Sequence, residues 1–176
     1  MSTSIETFSR APRPGAALAS RLSCLIVQPI LSRVVHRIAK RHPSLFARLG
    51  PHQITDFLID PVELPFALHL RPDPQALMFR AIPRDAAPQA GAIIRGRFML
   101  LLELVDSEED GDAAFFSRDL EVAGDTEAVV RLRNALDDVD GSIAEETAEM
   151  FGTAGRAILA RLRRSYATDL KGHEPK

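Results

Sequence analysis

Apolar residues recur every three or four positions near the start of the chain, which is the period of an α-helix. Pro29 lies within this stripe and should kink or split the helix. A second, short helix is predicted from Pro43 to Leu49, ended by Gly50 and Pro51. The first stripe consists of Leu18, Leu22, Leu25, Ile26, Ile30, Val34 and Ile38.

The pattern changes to strands after Pro51. Phe66, Leu68 and Leu70 alternate with more polar positions, as expected of a half-buried antiparallel strand. The segment from Arg97 to Asp106 is short and apolar, so periodicity alone does not separate strand from helix, but its Leu and Met content favours helix. Strands are predicted at Ile54–Asp60, Pro65–Arg71, Ala76–Ile82, Ala92–Gly96 and Ala114–Gly124, the last with Leu120 and Val122 on one face.

Two further helices complete the pattern. The first should be capped by Asp125 or Thr126, and its buried stripe is Val129, Leu132 and Leu136. The second begins at a capping box of Ser142 and Glu145 and should continue to Tyr166. The GTAG stretch at residues 152–155 falls inside this helix, which favours close helix packing over a phosphate-binding loop. We therefore predict a flexible leader (1–15), a helical extension (16–50), a central domain (51–140), an amphipathic helix (141–170) and a loose tail (171–176).

Charge is distributed unevenly along the 176 residues. Residues 1–50 contain eight Lys or Arg and one acid, Glu6, whereas residues 103–150 contain sixteen Asp or Glu and three Arg. Basic residues predominate again from Arg156 onwards. The basic ends could attract the phosphates of an anionic membrane or could be ordinary solvated helix faces, and the sequence leaves both alternatives open. Aromatic residues do not interleave with the basic ones, which disfavours nucleic-acid binding.

Cys24 is the one cysteine, so no internal disulfide can form, and its apolar neighbours suggest a small buried side chain. The first fifteen residues lack the features of a secretory signal. No run approaches the ~20 apolar residues needed to span a bilayer. These observations predict a cytoplasmic protein.

Catalytic and metal-binding motifs are missing from the sequence. No nucleophile elbow, P-loop or dinucleotide fingerprint occurs, and the histidines have no metal-ligand spacing. His69 is predicted to be a solvent-facing strand residue. We therefore expect neither an enzyme nor a cofactor.

The segment DGDAAFFSRDLEVAGDTEAVVRLRNAL (Asp110–Leu136) resembles the signature of the sterol carrier protein type 2 family of lipid-binding domains. The resemblance extends over Ile54–Asp138. It implies an α+β fold: a mostly antiparallel twisted sheet covered by helices on one face, with a lipid tunnel between the layers and extra helices at both ends of the chain. It also implies that apolar side chains, rather than reactive groups, form the site.

Within this family, three segments are similar to bacterial accessory factors of ubiquinone biosynthesis: Ile59–Asp73, Phe115–Val130 and Arg133–Asp138. This similarity implies a carrier in oxygen-independent ubiquinone biosynthesis. Such a carrier binds a polyprenylated intermediate, which iron–sulfur partners of the peptidase U32 type hydroxylate. The family match suggests as tunnel lining Phe98, Leu101, Leu102, Phe115, Phe116, Leu120, Val129, Leu132 and Leu136.

Other roles stay open at this stage. Each of these apolar residues could equally be ordinary core. Arg118 and Asp119 could hold a partner or a polar headgroup, or could pair with each other at the surface. The alternative function is a peripheral membrane module that binds phospholipid, at the inner membrane, through the basic end helices. Those helices could also cover the tunnel mouth or form a homodimer.

Overall fold

The computed structural model describes residues 14–105, 119–137, 139 and 142–171. These ranges contain six α-helices and five strands. The helices are α1 (Pro14–Arg41), α2 (Ser44–Leu49), α3 (Phe98–Val105), α4 (Thr126–Asp137), α5 (Ile143–Glu149) and α6 (Gly152–Lys171). The strands are β1 (Phe57–Pro61), β2 (Phe66–Arg71), β3 (Met78–Pro83), β4 (Ala92–Gly96) and β5 (Glu121–Gly124).

The five strands form one sheet in the order β3-β2-β1-β4-β5. Three of the four strand pairs are antiparallel, and β1 pairs with β4 in parallel. The predicted α+β class and mostly antiparallel sheet are therefore confirmed. The predicted strand at residues 114–124 is present as β5 from Glu121, and residues 114–118 lie outside the described part of the chain.

One face of the sheet is apolar and carries the helices. The strand register places Phe57, Ile59, Leu70 and Ile94 on this face. Phe57 is completely buried and belongs to the main core, together with α2, α3 and α4. Alternate positions of a strand point to opposite faces, so each of these strands contributes every second residue to the core.

The opposite face carries charged pairs. His69 Nε2 donates to Asp56 Oδ1 over 2.8 Å, and its side chain is only 13% exposed. The prediction that His69 simply faces solvent was wrong, because the neighbouring carboxylate covers the ring. Asp60 lies within 4 Å of Arg84 and Arg95 on the same face.

Helix α1 runs unbroken through Pro29, contrary to the predicted split. A proline in a helix removes one backbone hydrogen bond, to the carbonyl four residues earlier. That carbonyl belongs to Leu25, which is 73% exposed, and Pro29 itself is exposed. Water can therefore satisfy the carbonyl, so the helix tolerates the proline.

The face of α1 that packs on the sheet differs from the predicted stripe. In the first half of the helix the buried positions are Ser20 and Cys24, and Cys24 packs against Phe66 and Ala81. Burial raises the pKa of the Cys24 thiol, in agreement with the predicted small buried side chain. The predicted stripe residues Leu18, Leu22, Leu25, Ile26 and Ile30 are exposed instead.

Gln28 anchors α1 to the edge of the sheet. Its side-chain Nε2 donates to the Phe79 carbonyl over 3.1 Å, and its Oε1 accepts from the Ala81 amide over 3.0 Å. Strand β3 is an edge strand, whose outer backbone groups would otherwise need water or another chain. The Gln28 amide therefore takes the place of a neighbouring strand at these two residues.

Residues Leu18–Arg41 are long and apolar enough to cross a membrane, judged by length and composition alone. The expectation of no such stretch was wrong, because two charged residues in a window of this length do not lower its mean hydropathy enough. Core helices and N-terminal signals pass the same test. In this structure α1 lies along β3 and β2, so the helix is part of the folded domain.

Local signals placed α2, α3 and α4 well. Helix α2 ends at Leu49, directly before Gly50 as predicted, and α3 is a helix, as its Leu and Met content indicated. Asp125 is the residue that caps α4, because its Oδ1 accepts from the Ala128 amide over 3.0 Å.

The predicted last helix is two helices. Ser142 caps α5 as predicted, since its hydroxyl accepts from the Glu145 amide over 3.0 Å. Gly152, with φ of +63°, separates α5 from α6 because a left-handed residue ends a helix. Gly155 then packs against Ala148, where a side-chain carbon would run into the Ala148 carbonyl. The prediction of close packing at the GTAG stretch is confirmed.

Candidate functional site

An apolar cavity of about 180 Å³ lies between the sheet and the helices. Its floor is the helical face of the sheet, with one residue from each of four strands: Ile59, Leu70, Phe79 and Ile94. These side chains share one face because their strand positions have the same parity in the register.

Five helices form the walls. Helix α1 contributes Val34 and Ile38 from its second half, and α2 contributes Leu45. Leu104 of α3 and Ile143 at the start of α5 close the sides. The second half of α1 therefore turns its sheet-facing side towards the cavity, whereas the first half covers β2 and β3.

Helix α4 provides a further apolar wall. Val129, Leu132 and Leu136 recur at three- and four-residue spacing and face the cavity. Arg133 lies beside them, and it is the one charged side chain among the described residues that line the cavity. Its side chain is 17% exposed, and its Nη2 lies 3.2 Å from Asp137 Oδ2.

The structure brings some of the predicted tunnel residues together and leaves others apart. Phe98 and Leu102 are half-buried on α3 and do not line the cavity, and Leu120 packs against the main core. Phe115 and Phe116 lie outside the described residues, as does Arg118, and Asp119 is exposed. The predicted residues on the cavity wall are Leu101, Val129, Leu132 and Leu136.

Sequence reasoning missed the sheet floor, the walls from α1 and α2, and Arg133. The floor residues were recognised as strand positions, but alternation alone does not say which face borders a cavity. Ile38 and Val34 were part of the predicted apolar stripe of α1, but the sequence did not indicate what that stripe packs against. The one signal for Arg133 in the sequence was its position beside the apolar stripe of α4.

The volume of the cavity limits what it holds. An engineered cavity of ~150 Å³ lined by aliphatic residues accommodates a benzene ring, and typical ligand pockets are about 300–1,000 Å³. A cavity of about 180 Å³ therefore admits a ring or a short section of hydrocarbon chain. A longer chain would extend beyond this space unless a wall moves.

No group of three or more His, Cys, Asp or Glu side chains that could hold a metal ion occurs in the part of the chain that the structure describes. The cavity itself offers apolar surface. Such a surface removes hydrocarbon from water, and this is the chemistry that the arrangement supports.

The α1 wall is fastened to α5 by one carboxylate. Glu146 lies 3.0 Å from Arg41 Nη1, 3.1 Å from His42 Nε2 and 3.7 Å from Arg37 Nε. The Glu146 side chain is only 13% exposed, whereas those of Arg37 and Arg41 are about half exposed. A carboxylate at this depth is costly to leave unpaired, so the cluster fixes the end of α1 against α5.

Substituting Glu146→Gln should therefore lower the free energy of unfolding by about 1–2 kcal/mol, the partial exposure of the arginines keeping the loss below that of a fully buried pair. For a domain of this size that corresponds to a fall in Tm of roughly 2–8 °C. Thermal unfolding followed by circular dichroism measures it.

Glu145→Gln is the matched control, because Glu145 lies in the same first turn of α5 and is more exposed. Both substitutions remove one negative charge near the same helix N-terminus. Glu145 pairs with Arg163 at the surface, so its loss should cost less than about 0.5 kcal/mol. Equal losses for the two variants would show that the Glu146 cluster does not fasten α1.

Comparison with known proteins places this geometry in a family. A model of the SCP-2 sterol transfer family matches residues 45–137, more than half of the chain. These residues include α2, the sheet, α3 and α4, and thus most of the cavity. No curated protein matches the chain.

The solved structures that match this chain have low sequence identity to it. The structure of a UbiJ-SCP2 ubiquinone synthesis protein is 17% identical with a TM-score of 0.46, and the alignment covers 66% of this chain and 90% of that one. Sterol carrier protein 2 from Yarrowia lipolytica is 10% identical (TM-score 0.39; 68% and 91%). A sterol carrier protein domain 2 of Helicoverpa armigera is 8% identical (TM-score 0.42; 76% and 99%). On the family match, this chain belongs to the SCP-2 sterol transfer family.

Proposed function

We propose that the protein is a non-catalytic carrier that shelters the hydrocarbon chain of an isoprenoid lipid. The observation that carries the proposal is the apolar cavity between the sheet and the helices. Each methylene transferred from water into such a space contributes about 0.8 kcal/mol, so a short section of chain already gives useful affinity without polar contacts.

The ligand we propose is a polyprenylated intermediate of oxygen-independent ubiquinone biosynthesis. Support comes from the sequence similarity of Ile59–Asp73, Phe115–Val130 and Arg133–Asp138 to the bacterial accessory factor UbiT. The carrier would present the ring of the intermediate to iron–sulfur proteins of the peptidase U32 type for hydroxylation. Such partners would have to supply the redox chemistry, because the sequence of this chain has no cluster-ligand motif.

The cavity volume sets the mode of binding. A chain of many isoprene units exceeds about 180 Å³, so only part of the ligand enters the cavity. Loading a longer section requires one wall to move outwards. Helix α1 is the candidate, because it lies outside the family match, and its movement would require the ion pairs with Glu146 of α5 to open.

Mass spectrometry of lipid extracted from the purified protein tests the proposal. The expected result is a prenylated phenol or quinone in a stoichiometric amount. Protein that is repeatedly empty, and that also fails to take up added prenylated phenols, would exclude a carrier. Deleting the gene should abolish quinone synthesis only in cells grown without oxygen, and an equal loss with oxygen would contradict the oxygen-independent role.

A second candidate function is favoured by a different observation. Leu22, Leu25 and Ile26 of α1 are 53–73% exposed, and the same helix continues with exposed Arg33 and Lys40. An apolar stripe followed by basic residues is the composition of a helix that lies on an anionic membrane surface. We propose a cytoplasmic protein that contacts the membrane through this surface, which is compatible with a carrier that loads lipid there.

A further inference from the structure

Helix α1 is attached to the rest of the protein in two different ways. Its first half is held on the sheet by Cys24, which packs in a small apolar cluster, and by the two hydrogen bonds of Gln28 to strand β3. Its second half, residues 30–41, is a strap over the cavity and carries the lining residues Val34 and Ile38. The two halves can therefore behave independently if the helix bends between them.

Pro29 lies directly before the strap, at a turn that lacks one helix hydrogen bond. Proline has no N–H to offer the Leu25 carbonyl, and sharp bends in helices occur at such positions. Both residues are exposed, so no packed neighbour holds this turn straight. At the other end, His42 and Pro43 separate the strap from α2. The strap can therefore move outwards while the first half of α1 stays on the sheet.

The ion pairs that hold the strap down are weak in geometry. Glu146 Oε1 lies 3.0 Å from Arg41 Nη1 and 3.7 Å from Arg37 Nε, yet it accepts no hydrogen bond from the described residues. The two arginine side chains are 52% and 44% exposed. Glu146 also contacts His42 through its other oxygen, so it keeps a partner when the arginines leave. An anion from solvent can therefore compete with Glu146 for the two guanidiniums.

The exposed side of α1 indicates which anion reaches them. Eleven residues make about three turns of an α-helix, so Arg33 lies on the same side as Leu22, and Arg37 on the same side as Ile26. Leu22 and Ile26 are 53% and 71% exposed. A membrane surface that receives these apolar side chains therefore brings its phosphates to Arg37.

We propose that an anionic membrane surface opens the cavity by taking Arg37 and Arg41 from Glu146 and so releasing the strap. Phosphate oxygens accept two parallel hydrogen bonds from a guanidinium, a geometry that Glu146 does not provide here. The strap then bends outwards at Pro29 while Gln28 keeps the first half of α1 in place. The protein stays closed over its lipid in water and exchanges it at a membrane. This inference rests on the proposed carrier function and adds how that site is regulated.

Glu146→Gln tests the strap in solution, where no membrane is present. Association and dissociation rates of a neutral fluorescent dye are measured by stopped flow with the full-length protein. Both rates should rise roughly tenfold, the factor that corresponds to about 1.4 kcal/mol, because the open state is reached more often. The dissociation constant should stay within about twofold, because the cavity walls are unchanged, whereas a generally loosened protein would bind more weakly. Glu145→Gln, the matched control on α5, should leave both rates unchanged.

Pro29→Ala tests the bend from the opposite direction. Alanine returns the missing N–H to the Leu25 carbonyl and stiffens this turn, so both dye rates should fall roughly threefold. Pro29 is exposed, so the substitution removes no packed contact, and this variant also serves if Glu146→Gln fails to fold.

Vesicles of phosphatidylcholine, with and without phosphatidylglycerol, test the trigger. Dye-loaded protein is mixed with each at the same total lipid concentration, and the neutral dye partitions alike into both. Release should be roughly tenfold faster into the vesicles with phosphatidylglycerol. In Glu146→Gln this difference should shrink to about twofold or less, because its strap is already released.

The possible results separate the two proposals. Unchanged dye rates in Glu146→Gln, or equal release into the two kinds of vesicle, would show that the inference is wrong, and the carrier function stands. A protein that binds neither the dye nor added prenylated phenols is not a carrier, and the inference fails with it.

Discussion

Substituting Leu132→Trp should weaken the binding of farnesol, an alcohol with a fifteen-carbon isoprenoid chain, about fiftyfold. Leu132 projects from α4 into the cavity and is 6% exposed, so a larger side chain there occupies space that the ligand would take. If the indole excludes roughly three carbon atoms of the chain, the loss is about 2.4 kcal/mol at about 0.8 kcal/mol per methylene. A difference of 1.4 kcal/mol is tenfold in affinity, which gives the expected factor. The affinity for farnesol is measured by displacement of a neutral fluorescent dye from the full-length protein.

The control for this substitution is Val130→Trp on the same helix. Val130 is 38% exposed and does not line the cavity, so its replacement adds the same bulk outside the site. We expect binding within twofold of the unsubstituted protein. Overpacking a core costs about 1–3 kcal/mol, and the existing cavity should keep the loss in Leu132→Trp towards the lower end. A folded Leu132→Trp protein with normal affinity would show that lipid binds elsewhere.

The fold was predictable where a short sequence signal determines the local backbone. Ser142 and Asp125 accept hydrogen bonds from helix amides, and this capping chemistry is visible in three or four residues. Alternation identified β2 because one face of an antiparallel sheet is buried. The break at Gly152 was missed because apolar residues keep a helical period on both sides of it, and only the positive φ interrupts the helix.

The orientation of α1 was not predictable from periodicity. The helix has two apolar faces: one with Cys24, Val27 and Leu31 against the sheet, and one with Leu22 and Leu25 in contact with solvent. Both faces carry residues at helical spacing, so periodicity does not say which of them packs on the sheet. The face with Cys24 packs there, where Gln28 satisfies the edge strand, and this depends on contacts some fifty residues away along the chain.

The candidate site was predicted in part, and the reason is again sequence separation. Leu132 and Leu136 were found because the family resemblance and the helical stripe fall on the same segment. The floor and the α1 wall come from residues far apart in sequence, such as Ile38, Ile59 and Ile94, which only the completed fold brings to one cavity. That α1 forms a wall also connects the lipid site to the exposed apolar stripe on the same helix.

The triple substitution Leu22→Gln, Leu25→Gln and Ile26→Gln should reduce binding to vesicles containing anionic phospholipid at least hundredfold. The three side chains are 53%, 73% and 71% exposed, so each can insert into a membrane surface without leaving a protein contact. If insertion of each contributes about 1 kcal/mol, the sum of about 3 kcal/mol exceeds two factors of ten. Vesicle flotation over a range of lipid concentrations measures the partition coefficient.

A second variant separates the apolar contribution from the electrostatic one. Arg33→Gln with Lys40→Gln removes two exposed charges from the same helix, and each basic residue near an anionic surface contributes about 1 kcal/mol. Binding of this variant should fall roughly thirtyfold and become less sensitive to salt, whereas the triple Gln variant should keep its salt sensitivity. Point substitutions are preferable to deleting residues 1–50, because Leu45 and Leu49 belong to the main core.

Thermal stability and oligomeric state show what contacts the exposed apolar stripe of α1, which consists of Leu22, Leu25 and Ile26. Surface substitutions away from packed contacts change the free energy of unfolding by about 0.5 kcal/mol or less each, so both variants should unfold near the temperature of the unsubstituted protein. A protein that forms a dimer, and loses it in the triple Gln variant without any vesicle binding in either form, would identify a second copy of the chain as the partner of the stripe.

Because the second half of α1 lines the cavity, a membrane-bound α1 should also accelerate lipid transfer between vesicles. Equal transfer rates for the triple Gln variant would contradict any link between the two surfaces of this helix.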